Sequence, residues 1–111
     1  MSFEVVASEN FIRELKKLSK KYASLREEIE ALGNSLSINP EQGKALGKNC
    51  YKIRLSIKSK GKGKSGGARI ITCIFLLQEV AVLLSIYDKS EKENIETKEL
   101  ERLINSIGQI D

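Results

Sequence analysis

Eight basic residues and no acid fall between positions 48 and 69 of this 111-residue chain: Lys48, Lys52, Arg54, Lys58, Lys60, Lys62, Lys64 and Arg69. So dense a block inside a folded domain points to a phosphate-binding surface. The plainer reading of a lysine-rich loop is a solvated face. Lys52 and Arg54 favour binding, because they share the polar side of an alternating segment and so put cations on a sheet. Further on, Tyr87, Lys89 and Glu91 add a ring, an amine and a carboxylate. Two arginines and several lysines can hold phosphates and stabilise charge developing on phosphorus. Tyr87 can stack on a base or hydrogen-bond a ribose. RNA brings its own nucleophile, the 2′-hydroxyl, so cleavage needs only in-line alignment, a proton acceptor and charge stabilisation. The chain has no histidine, so the acceptor falls to a lysine such as Lys89, to a tyrosine or to Glu91.

Composition narrows the field further. The absence of histidine removes His-ligated metals and Ser-His-Asp catalysis, and no metal or other cofactor is expected. Lys and Arg number 19 against 15 Asp and Glu, a net charge of +4 that leans toward an anionic partner. The length suits one domain over 1–111. Cys50 and Cys73 make no disulfide framework and read as small buried apolar residues. No apolar run reaches the roughly 18 residues of a membrane span, and the first residues lack a basic-then-apolar leader. A cytoplasmic protein with reduced thiols is expected. Gly63-Lys64-Ser65 invites a P-loop reading and fails it. The required earlier glycine is Lys58, and the loop leads into a strand, not a helix. The loop glycines (61, 63, 66 and 67) instead allow a wide turn with free backbone amides.

Elements must position these residues. The segment 3–7 reads as a strand, and Ser8 as the cap of a helix whose apolar stripe is Phe11, Leu15, Leu18 and Tyr22. Ser24 to Glu27 fits a capping box. It opens a second helix striped by Leu25, Ile29, Leu32 and Leu36 and stopped at Asn39-Pro40. The short join predicts a helical hairpin. Tyr51, Ile53, Leu55 and Ile57 alternate with polar residues as a half-buried strand. Positions 68–77 predict a central strand, Gln78-Glu79 a tight turn, 80–87 another strand and 88–96 a polar stretch. Thr97 can cap a last helix with Leu100, Leu103, Ile104 and Ile107 inward, ended by Gly108. The expectation is β-α-α-β-β-β-α, an α+β domain with an N-terminal strand and helical hairpin packed on a small antiparallel sheet.

If the last three strands form a meander, Lys58, Arg69, Tyr87 and the loop lysines meet at one sheet edge. Arg54 is set back by roughly 13 Å and Lys52 by roughly 17 Å at strand rise. The plainer alternatives are that Tyr87 packs on the last helix and that Arg69 pairs with Glu91 or Glu93.

Several stretches resemble the RelE/ParE superfamily of bacterial type II toxins. They are the N-terminal strand and two helices ending in Asn39-Pro40, Gly43-Lys44-Ala45-Leu46-Gly47, and Tyr51-Lys52-Ile53-Arg54. The glycine-lysine loop from Gly61 ends in Gly66-Gly67-Ala68-Arg69, and Tyr87-Asp88-Lys89-Ser90-Glu91 follows a strand. Together these two resemble the HigB-like branch. The resemblance implies a microbial RNase-like fold, an mRNA interferase that cuts message in the ribosomal A site, and neutralisation by a cognate antitoxin. Its cleft maps onto Arg54, Lys64 and Arg69, with Tyr87 and Lys89. The ParE branch poisons DNA gyrase without nuclease chemistry, so a gyrase inhibitor is the alternative, and a simple RNA-binding domain is a third. The antitoxin is expected to cover the cleft with an acidic segment or to displace the last helix.

Overall fold

The computed structural model describes residues 2–60, 67–92 and 94–107, with the side chain of Lys60 left out. In order these are β1 (Glu4–Ala7), α1 (Glu9–Lys21), α2 (Leu25–Ile38), β2 (Lys44–Gly47), β3 (Cys50–Leu55), β4 (Ala68–Phe75), β5 (Val80–Asp88) and α3 (Thr97–Ser106). A 3-10 turn at Lys58–Lys60 follows β3. The α+β class and the helical hairpin hold. The sheet differs from expectation in two ways: it has five strands in the order β1-β5-β4-β3-β2, and it is mixed, because β1 runs parallel to β5.

β2 carries no apolar alternation, which is why the sequence pattern passes over it. Leu46 alone is half-buried and its neighbours are exposed. The strand exists because Lys48 and Asn49 both take positive φ, 55° and 62°, the backbone of a tight two-residue hairpin. Gly43, at φ 95°, lies so close to β3 that a Cβ would overlap the Lys52 carbonyl. β1 stops at Ala7, and α1 then covers the open edge of β5. Ser8 caps α1 by accepting from the Phe11 N–H at 3.1 Å and donates its own hydroxyl to the Leu84 carbonyl at 3.2 Å. Asn10 donates to the same carbonyl at 3.0 Å. Glu14 accepts from the Ser85 hydroxyl at 2.8 Å and the Ile86 N–H at 3.1 Å. Backbone groups that would otherwise lack partners are thus satisfied by helix side chains.

Two apolar layers enclose the sheet. Phe11, Leu25, Leu36, Ile70 and Ile86 belong to the core under α1 and α2, and Ile71, Leu84, Leu100 and Leu103 to the core under α3. Each fully buried side chain of this size contributes about 1.5–3 kcal/mol. A bulge between Ile71 and Thr72 of β4 leaves β5 with one extra residue, since Ile71 pairs Ser85 and Thr72 pairs Leu83. A bulge reverses the facing of all residues beyond it. Ile86 therefore turns toward α1, and Tyr87 joins Val82 and Leu84 beneath α3.

Several local expectations are corrected. Ser24 has helical φ and ψ and no capping bond. Its hydroxyl donates to Glu28 at 3.2 Å and pairs with Ser59, so the capping box does not form. Glu96, not Thr97, occupies the N-cap of α3. β3 ends at Leu55 and β4 at Phe75, leaving Leu76 and Leu77 exposed in the turn. Asp88, assigned to the polar stretch, is fully buried at the end of β5. The expected helix stop at Gly108 and the glycine turn at 61–66 lie outside the described residues.

Candidate functional site

Strand alternation and register assemble the site. Lys52 and Arg54 point to the α3 side of β3, as Arg69 and Ile71 do on β4. Arg54 stands directly opposite Arg69, and Arg69 directly opposite Tyr87. The three form one row across three strands. Arg54 is therefore level with the other two, not set back as expected, because β3 ends one residue later. Lys52 is one row deeper, opposite Ile71. The β5 bulge puts Tyr87 on this face, and no turn residue announces it in the sequence.

The members of the row differ in exposure. Arg54 is exposed, whereas Arg69 is 2% and Tyr87 5% exposed. Tyr87 does pack beneath the last helix, as the plainer reading anticipated. Arg69 donates to the Ala68 carbonyl at 3.2 Å. Their register puts two guanidinium-bearing residues, Arg54 and Arg69, side by side on one face. The ammonium of Lys92 lies 4.8 Å from the Tyr87 ring centroid, a cation–π contact, and also pairs with Glu99 at 3.1 Å. Lys52 donates to Asn94 Oδ1 at 2.6 Å.

A buried carboxylate shapes the turn that follows. The Tyr22 hydroxyl donates to Asp88 Oδ2 at 2.6 Å, and Ser90 donates to Oδ1 from its N–H at 2.9 Å and its hydroxyl at 2.8 Å. The Asp88 carbonyl accepts from Glu91 and Lys92 at 3.0 and 3.3 Å, and Lys89 N–H donates to the Gly67 carbonyl at 3.0 Å. Gly67 has φ 52°, and a Cβ there would overlap the Leu55 carbonyl. Glycine thus lets the returning loop lie against the end of β3.

The other site candidates are dispersed. Lys89 is half-buried in this turn and Glu91 exposed. Glu91 lines a cavity of about 390 Å³ with Glu14, Lys17, Lys21, Lys92 and Tyr87. Lys58 is seated over α2, where its N–H donates to Glu28 at 2.7 Å. Lys62, Lys64, Glu93 and the side chain of Lys60 lie outside the described residues. Among the described residues no three His, Cys, Asp or Glu side chains gather where they could hold a metal. Sequence reasoning runs Asp88 and Lys92 on from Tyr87 into this region without giving them a role, and it missed Tyr22 and Asn94. The signal for Lys92 was its place one residue beyond Glu91 in the same segment; the pairing of Tyr22 with Asp88 spans 66 residues and gave none.

The family model described as "RelE toxin of RelE / RelB toxin-antitoxin system" matches residues 4–109. Among solved structures, the chain is similar to a double-arginine mutant of the E. coli toxin RelE in the free state. The TM-score is 0.61 and the identity 20%, over 96% of this chain and 99% of that one. It is similar to a chain of the RelBE2 toxin-antitoxin complex from Mycobacterium tuberculosis, with TM-score 0.55 and 21% identity over 79% and 92% of the two chains. The same E. coli mutant in complex with an antitoxin RelB peptide matches with TM-score 0.53 and 21% identity over 100% of both chains. At these identities the likenesses establish the fold.

Proposed function

This chain belongs to the RelE toxin family of RelE/RelB toxin-antitoxin systems, a family of ribosome-dependent mRNA endonucleases, and we propose from that premise which residues perform the cleavage. The alignment of Arg54, Arg69 and Tyr87 in one row carries the reading. The two guanidiniums clamp the scissile phosphate and stabilise the charge that develops on it. The 2′-hydroxyl of the preceding ribose attacks phosphorus in line, and a 2′,3′-cyclic phosphate and a free 5′-hydroxyl result. Lys89 accepts the 2′-hydroxyl proton, with Glu91 as the other group at hand, and the departing 5′-oxygen takes a proton from water. Tyr87 offers its ring to a base and its hydroxyl to a phosphate oxygen. Lys92 occupies that ring in the free protein, so the segment carrying Lys92 and Asn94 shifts to admit RNA. Lys52, Lys58, Lys60, Lys62 and Lys64 bind the flanking phosphates.

Further assignments follow from the same reading. The chain is one toxin domain over 1–111. The lysine-glycine loop ending at Arg69 and the segment Tyr87 to Glu91 support assignment to the HigB-like branch. It works in the cytoplasm on ribosome-bound mRNA; no helix among the described residues is long and apolar enough to cross a membrane. A cognate antitoxin restrains it, through an acidic segment over the basic row or by displacing α3. Support comes from the relatives solved together with their antitoxins.

The test is 5′-end mapping of mRNA in a cell-free bacterial translation system. Wild type is compared with Arg69→Ala and Tyr87→Phe. Cuts at A-site positions of translated message, lost or much reduced in the variants, are expected. Intact message with wild type would overturn the nuclease reading, and a gyrase supercoiling assay would follow. Full cleavage by Arg69→Ala would overturn the residue assignment alone.

A further inference from the structure

Cys50 and Cys73 lie on the same α3 face as the arginine row, at the opposite end of the β3–β4 pair, and are directly opposed. Neither is oxidised and both are buried. The adjacent pair is bonded, since Ile74 N–H donates to the Asn49 carbonyl at 2.9 Å. Bonded and non-bonded pairs alternate along an antiparallel ladder, so Cys50 and Cys73 form a non-hydrogen-bonded pair, with Cα atoms about 4.5 Å apart. A disulfide spans roughly 4.4–6.8 Å between Cα atoms. The Lys48 carbonyl lies 3.6 Å from the Cys50 sulfur and 4.0 Å from that of Cys73, so one acceptor gathers both.

We propose that Cys50 and Cys73 are an oxidisable dithiol, which a small hydroperoxide converts into an intrachain disulfide. The pair is chemically unequal. The hydrogen bond from the Cys50 thiol lowers the pKa of Cys73 and so favours its thiolate, against the opposing effect of burial. That same bond, followed by burial and the charge of Cys73, raises Cys50. Cys73 is also the less enclosed, at 4% exposure against 0%. Cys73 is therefore the attacking thiolate and Cys50 the resolving thiol. Cys73 attacks the terminal peroxide oxygen, the O–O bond breaks, and the leaving alkoxide takes a proton and departs as alcohol, or as water from hydrogen peroxide. The sulfenic acid left on Cys73 is attacked by Cys50, the S–O bond breaks, and water leaves with the Cys50 proton. Two thiols lose two electrons and one peroxide gains them. Access runs past β2, a four-residue edge strand with a register shift between Ala45 and Gly47, the kind of element that opens locally. The inference is independent of the RNA reading.

The experiment treats the full-length chain with hydrogen peroxide, then denatures, alkylates and maps peptides by mass. A cross-linked Cys50–Cys73 peptide pair is expected, lighter than the two reduced peptides by about 2 Da, within one chain and reversed by dithiothreitol. Two fully alkylatable cysteines after treatment would overturn the proposal, as would a cross-link between chains or sulfinic acid without a cross-link. A second arm settles the order of attack. Cys50→Ala should accumulate a dimedone-reactive sulfenic acid on Cys73, and Cys73→Ala should leave Cys50 unreacted. The reverse pattern would overturn the assignment of Cys73 as nucleophile.

Discussion

The two ends of the α3 face of the β3–β4 pair obey the same alternation and come to opposite uses. At one end, Cys50 and Cys73 are sealed with Leu84, Leu100 and Leu103. At the other, Arg54 and Arg69 put two like charges side by side. The first arrangement lowers the free energy of the fold through burial. The second gathers positive charge on the same face, an arrangement suited to holding an anion. Between them, Lys52 lies opposite Ile71 and reaches across to Asn94, which marks where the apolar cover gives way to the basic row. Arg69 and Tyr87 are nearly as buried as the cysteines and only Arg54 of the row is exposed, so one sheet face carries core and candidate site together.

The sharpest way to break this comparison is Arg69→Ala. Cleavage in the translation assay should fall by roughly 10²–10³-fold, as when a transition-state donor is removed, while circular dichroism stays native. At the sealed end, Leu103→Ala should cost about 2–5 kcal/mol in denaturant unfolding and leave the activity of the folded fraction unchanged. If it abolished activity without loss of stability, α3 would belong to the site. Tyr22→Phe removes a donor from the buried Asp88 carboxylate and should lower stability by about 1–3 kcal/mol. Tyr87→Phe keeps the ring in place, so its circular dichroism should stay native. Its cleavage should drop roughly tenfold, the cost of one hydrogen bond to a charged group. The smallest effect belongs to Arg54→Thr. It should reduce the slope of log affinity for RNA against log salt by about 1.

Much of the architecture was legible locally. The helical stripe of Phe11, Leu15, Leu18 and Tyr22, the alternation at 51–55 and the apolar runs of β4 and β5 follow from burial on one face or two. The meander was legible too, and with it the meeting of Arg69 and Tyr87 at one edge. β2 was not, because an exposed edge strand of four residues has no apolar pattern to read. Ser24 failed as a cap because Ser59 and Glu28 offered its hydroxyl better partners. Asp88 looked like loop polarity because its partner Tyr22 is distant in sequence.

The sequence by itself determined which residues face together within each element, since side-chain direction follows the helix and strand periods. It also set the basic character of the 48–69 segment and excluded histidine chemistry. Tertiary structure alone decided the rest. β1 lies parallel beside β5, a bulge turns Tyr87 to the arginine side, α3 closes one end of that face, and two cysteines far apart in the chain come into direct opposition. Those outcomes depend on pairings between distant segments, and the free energy of such a pairing resides in contacts that neither segment contains.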